Sequence, residues 1–89
     1  MQKETFVQVL EAVVRGFEDP GFKSAMAAAK AAGDVGKLVQ LPLEVQSRAF
    51  AAAGLDLETG AATFKAAGRA YATDPAVGPL LVRMKAALG

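Results

Sequence analysis

The stretch Thr5-Phe6-Val7-Gln8-Val9-Leu10-Glu11-Ala12-Val13-Val14-Arg15-Gly16-Phe17-Glu18-Asp19-Pro20 decides the architecture of this chain. Phe6, Val9, Leu10, Val13, Val14 and Phe17 recur at three- and four-residue spacing, the period of a helical face turned toward a core. Asp19-Pro20 closes the pattern. Proline disfavours helical geometry in the residue before it, while aspartate can cap a new helix whose first turn accepts the proline. The spacing predicts a helix from Thr5 that stops before Asp19 and restarts at Pro20.

The same rules carry outward. Phe22, Met26 and an alanine run form a second helix that Gly33 closes by taking the left-handed conformation. Asp34 caps a third segment with Leu38 and Leu41 on one face. Pro42 then removes a backbone donor and crowds the preceding turn, so a kink or a break is expected at Leu41-Pro42. Helix resumes through Leu43, Ser47 and Phe50 until Gly54, and Leu55 to Glu58 connect to a helix with Gly60 in its first turn and Phe64, Ala67 and Tyr71 along one stripe. Gly68 inside that helix costs on the order of 1 kcal/mol against alanine, which points to close backbone packing there. Asp74-Pro75 repeats the cap-and-restart signal before Val77, Leu80, Leu81, Met84 and Leu88, with Pro79 disturbing the first turn. Residues 17–32 and 71–87 share this pattern and read as two similar helix-turn-helix units.

No stretch alternates apolar and polar residues with the β-branched content of a strand. The expected fold is all-α: one domain over residues 1–89, built as a compact bundle of four to five short helices. With 53% hydrophobic and 21% charged residues the chain lies far from the composition of disorder. At 89 residues its core is only just sufficient, which favours support from a partner or from self-association.

Composition also excludes chemistry. The chain has neither histidine nor cysteine, so the commonest general base, the thiol nucleophile and the usual transition-metal ligands are missing together. No catalytic residue, metal site or cofactor is expected. Asp34, Glu44, Asp56 and Glu58 are the carboxylates placed for acid-base work, but each also suits a helix start or cap, and capping is the reading preferred. Gly33-Asp34-Val35-Gly36-Lys37 brings glycines and a lysine to a helix start without Walker spacing or a preceding strand, so it reads as a helix end followed by a cap. Lys23, Lys30 and Lys37 recur every seven residues, but Gly33-Asp34 divides them between two helices. With a net charge of +1, no nucleic acid is expected as a partner.

The longest weakly polar run, Ala25 to Ala32, is interrupted by Lys30 and falls short of the roughly 18 apolar residues that a membrane span requires. Met1 to Glu4 carry charges of both signs and do not read as a secretory signal. A cysteine-free chain of this size suits a reducing compartment, so a soluble cytoplasmic protein is expected.

What remains is binding. Alanine, roughly a fifth of the chain, suits close helix packing and flat faces on which another helix can dock. Polar groups gather around the proline irregularity at Asp34, Lys37, Gln40 and Gln46, the candidate partner-binding residues. The preferred function is a non-enzymatic protein-interaction module or small subunit of a larger assembly, with a homo-oligomer among the options. The alternative is a carrier of an apolar or acyl-type ligand, lined by residues such as Phe6, Phe17, Phe22, Met26, Phe50, Phe64, Tyr71 and Met84, although such residues more often form a core.

Asp34-Val35-Gly36-Lys37-Leu38-Val39-Gln40, followed by Leu41-Pro42 and then Gln46, resembles the signature of the protein C-ten family, small eukaryotic helical proteins of unknown molecular function associated with brain and corpus callosum development. The likeness covers nearly the whole chain. Phe6 to Phe17 resembles that family's first helix, Phe64 and Tyr71 its penultimate helix, and Asp74-Pro75 with Lys85-Ala86 its last. The resemblance implies a cytoplasmic, non-enzymatic helical protein and supplies no catalytic residues to carry over.

Overall fold

In the computed structural model, which describes residues 2–88, five helices follow one another: α1 (Lys3–Glu18), α2 (Pro20–Ala32), α3 (Val35–Ala52), α4 (Leu57–Ala70) and α5 (Gly78–Leu88). No strand occurs among the described residues. The first boundary follows the sequence reading closely. The Asp19 carboxylate accepts a hydrogen bond from the Phe22 N–H at 3.1 Å, Pro20 occupies the first turn of α2, and Gly33 closes that helix at φ 67°.

The helix α1 is the organising element. Its six predicted core residues are all buried, and they divide between two clusters. Val9, Val13 and Phe17 pack with Phe22 of α2 and Val45, Ala49 and Phe50 of α3. Phe6, Leu10 and Val14 pack with Ala67 of α4 and with Val77. Phe64 and Met84 are half-buried against both clusters and join them. The aromatic rings pack against one another: Phe17 and Phe22 stack with centroids 5.2 Å apart, Phe6 and Phe64 meet tilted at 5.2 Å, and Phe50 meets Phe64 edge-on at 5.5 Å. They are core. Each such ring, buried whole, contributes on the order of 2–3 kcal/mol.

The structure refines three expectations. Of the kink or break expected at Leu41-Pro42, the break is not seen: α3 is one 18-residue helix that passes through the proline. Pro42 has no N–H to offer the Leu38 carbonyl, at a cost of about 3 kcal/mol, but Leu41, Val45, Ala49 and Phe50 on either side of this point face the same core, and their burial offsets it. The second correction concerns the last helix, which begins at Gly78 and not at Pro75. Asp74 does not act as Asp19 does. Its carboxylate accepts from the Ala76 N–H at 2.8 Å and from Lys3 Nζ at 2.9 Å, while its carbonyl collects the N–H groups of Val77 and Gly78. A turn forms first and tucks Val77, fully buried, under α1. The resemblance between the two helix-turn-helix units fails at this point.

The third correction concerns glycine. At Gly68 a Cβ would meet only Phe6 Cζ at 3.9 Å, an ordinary contact. Close approach occurs instead at Gly16, where a Cβ would overlap Val45, and at Gly60, where it would lie 3.1 Å from Phe50 Cγ. These two glycines let α3 settle against α1, and α4 against the end of α3.

Candidate functional site

Asp34 sits at the N-cap of α3, its carboxylate accepting from the Lys37 N–H at 3.1 Å, so its first role is to complete the helix. One turn on, Lys37 and Gln40 are exposed on the same side, and the Gln40 amide donates to Glu44 at 3.3 Å. Opposite them on α2 stand Ala25, Ala28, Ala29 and Ala32. The two helices leave a groove of about 460 Å³ between an alanine wall and this polar edge. Three of the four candidate residues, Asp34, Lys37 and Gln40, therefore share one site.

Gln46 does not join them. It follows Lys37 by nine residues, about two and a half turns at 3.6 residues per turn, which puts it on the opposite side of α3, half-buried. A second groove, of about 590 Å³, continues from the first at Ala25, Leu41 and Glu44. It runs between α1, α2 and α3, with Phe22, Val45 and Ala49 in its floor and Arg15 and Arg48 at its edge.

The structure reveals a feature that the sequence reading missed. Val35, Val39 and Leu43 are 69%, 58% and 43% exposed, and their four-residue spacing aligns them along α3. The signal was present in the sequence. Leu41, Val45 and Ala49 already provide a core-facing stripe, so Val35, Val39 and Leu43 form a second apolar stripe that the core does not need.

Two of the four carboxylates cap helices. Asp56 caps α4, accepting from the Thr59 N–H at 2.9 Å, and that bond holds its carboxyl below the usual range. Asp34 caps α3 as described, Glu44 is engaged by Gln40, and Glu58 lies in the first turn of α4. Among the described residues no three metal-ligating side chains are grouped to hold an ion, and no helix is long and apolar enough to cross a membrane. Lys23, Lys30 and Lys37 fall on two helices, as Gly33-Asp34 requires.

Two ion pairs outside this region tie the far end of the chain to α1. Arg83 donates to both oxygens of Glu18, at 2.6 and 3.3 Å, which holds the Glu18 carboxyl below its ordinary value. Lys3 pairs with Asp74 at 2.9 Å and depresses that carboxyl likewise. Neither pair borders the grooves. No protein-family model, curated protein or solved structure matches this chain.

Proposed function

We propose that this chain is a non-enzymatic protein-interaction module or small subunit of a cytoplasmic assembly, and that the N-terminal half of α3 is its binding element. The observation that carries the reading is the exposure of Val35, Val39 and Leu43 as a row on a helix whose other apolar face is already buried. Rows of this kind on a stable domain mark surfaces that a partner covers. The alanine wall and the Asp34, Lys37 and Gln40 edge flank the same half of the helix and supply close approach and hydrogen bonding. Gln46 belongs to the apolar side of the site.

The test compares recovery of bound proteins from extract of the source cells by the parent chain and by two variants. One carries Lys37→Ala, Gln40→Ala and Gln46→Ala; the other carries Val35→Ser and Val39→Ser. Loss of a stoichiometric partner with both, while helicity is preserved, is the expected result. Unchanged recovery with both would sink the assignment.

The carrier reading keeps one supporting observation. The groove between α1, α2 and α3 has the volume of a small-molecule site, although it is an open channel on the surface and the large aromatic residues pack into the core beside it. Native mass spectrometry separates the two: a stoichiometric added mass released on denaturation favours the carrier.

A further inference from the structure

The two core clusters draw on different parts of the chain. The buried residues of the first, Val9, Val13, Phe17, Phe22, Val45, Ala49 and Phe50, all belong to α1, α2 and α3. That core keeps its buried members whatever happens to the last helix. In the second cluster, Phe6, Leu10 and Val14 of α1 are covered by Ala67 of α4, by Val77, and by Leu80, Leu81 and Met84 of α5.

The helix α5 is attached differently from the other four. Each of those buries at least two residues and rests on at least two neighbouring helices, whereas α5 buries none and rests mainly on α1. Its inward residues Leu80, Leu81, Met84 and Leu88 are only half-buried, and Val82 points to solvent. An element with so little buried surface is the kind that opens locally, at a lower free energy than global unfolding.

Its polar ties lie at the two ends of α1. Of the three ion pairs among the described residues, one is local to α1, and the two that bridge distant segments both fasten this part of the chain to α1. Lys3 holds Asp74 at the start of α1, three residues before the fully buried Val77. Glu18 holds Arg83 at the end of α1, with the two side chains 35% and 53% exposed, so that water and salt reach the pair.

We infer that α5 is a hinged strap, which swings off α1 as a unit while α1 to α4 stay folded. Val77 and the Lys3–Asp74 pair are its pin, and the Glu18–Arg83 pair is its latch. Opening uncovers Leu10 and Val14, an apolar face of α1 that the chain's own α5 otherwise occupies. Because salt screens the latch, ionic strength sets how often that face is accessible. The device is separate from the exposed row on α3 and does not depend on it.

The chain contains no cysteine, so one buried thiol at a time reports opening. Val13 and Val14 are neighbours on α1, 0% and 1% exposed, but Val13 lies in the first cluster and Val14 in the second. Under native conditions Val14→Cys is expected to react with a thiol reagent at least about tenfold faster than Val13→Cys, whose exposure requires the body to unfold. Low urea should leave the Val14→Cys rate nearly level and steepen that of Val13→Cys, since lifting one helix exposes little surface. Arg83→Gln, or a rise in salt from about 0.05 to 1 M, should speed Val14→Cys labelling about threefold, the scale of an exposed ion pair, and the two effects should not add.

Equal labelling rates with equal dependence on urea would show that α5 leaves only when the whole chain unfolds, and would overturn the inference. A faster Val14→Cys that neither salt nor Arg83→Gln alters would overturn the Glu18–Arg83 pair as the latch. Since either valine substitution can weaken the fold, amide exchange of the parent chain gives a second readout. Amides of residues 81–88 exchanging together, at least about tenfold faster than those of residues 45–50, would support the strap, and equal protection of the two segments would sink it.

Discussion

Gly16 of α1 and Val45 of α3 approach so closely that residue 16 has no room for a Cβ. Val45 is buried in the cluster that joins α1, α2 and α3, and Gly16 lines the groove beside it. The contact sets how deeply α3 sits on α1, and through that how far its second apolar stripe turns toward solvent.

Gly16→Ala should therefore destabilise the fold by about 1–3 kcal/mol through overpacking, despite the higher helix propensity of alanine. Val45→Ala in the same chain should recover part of the loss, giving a coupling energy in a double-mutant cycle read from urea denaturation. A neutral or stabilising Gly16→Ala would show that the helices can separate at no cost.

Pro42 makes an opposite prediction. Because α3 continues through it, Pro42→Ala restores the missing hydrogen bond to Leu38 without disturbing a break, and stability should rise by up to about 3 kcal/mol. A fall in the denaturation midpoint would mean that the proline shapes the helix so as to seat Leu41 and Val45.

Asp34 and Lys37 should part company under substitution. Asp34→Ala removes the cap of α3 and is expected to lower stability by about 1 kcal/mol, whereas Lys37→Ala, exposed and bonded there only through its main chain, should change stability by less than about 0.5 kcal/mol. Thermal melts of the two variants check this. The result decides how binding data are read, since a loss of binding on Asp34→Ala would mix folding with recognition.

The pH dependence follows from the two ion pairs on α1 and from the Asp56 cap of α4. Glu18 is held below its ordinary 4.5 mainly by hydrogen bonding to Arg83, Asp74 below 3.8 mainly by hydrogen bonding to Lys3, and Asp56 below 3.8 mainly by the Thr59 N–H. A carboxyl whose folded value is depressed contributes stability that is fully present above its unfolded value and is lost as pH falls through the folded one. The urea midpoint should thus be level from neutral pH down to the region of 4.5 and decline below it. Lys3 is raised above 10.5 by the same hydrogen bond to Asp74, so its contribution is present below that value and fades as pH climbs past it. Glu18→Gln, which does not titrate, should shorten the acid decline; an unchanged decline would remove the Arg83 pair as a cause.

The sequence by itself determined the helices and most of their ends, because those depend on neighbours within a turn: the periodicity from Phe6 to Phe17, the aspartate caps at Asp19 and Asp34, the glycine stops at Gly33 and Gly54. It also gathered Asp34, Lys37, Gln40 and Gln46 into one candidate face, of which the structure keeps the first three together and turns Gln46 to the opposite side of α3. Tertiary structure alone decided what lay beyond a turn. Whether Pro42 would break α3 depended on the core on both sides of it, and whether Asp74 would start a helix depended on Lys3, 71 residues away, and on the cavity that Val77 fills. The open stripe of Val35, Val39 and Leu43 was written in the sequence as apolar spacing, but burial is a property of what another helix covers. Only the folded chain, with α4 roofing Phe50 and stopping short of Leu43, shows which apolar residues are left without a neighbour.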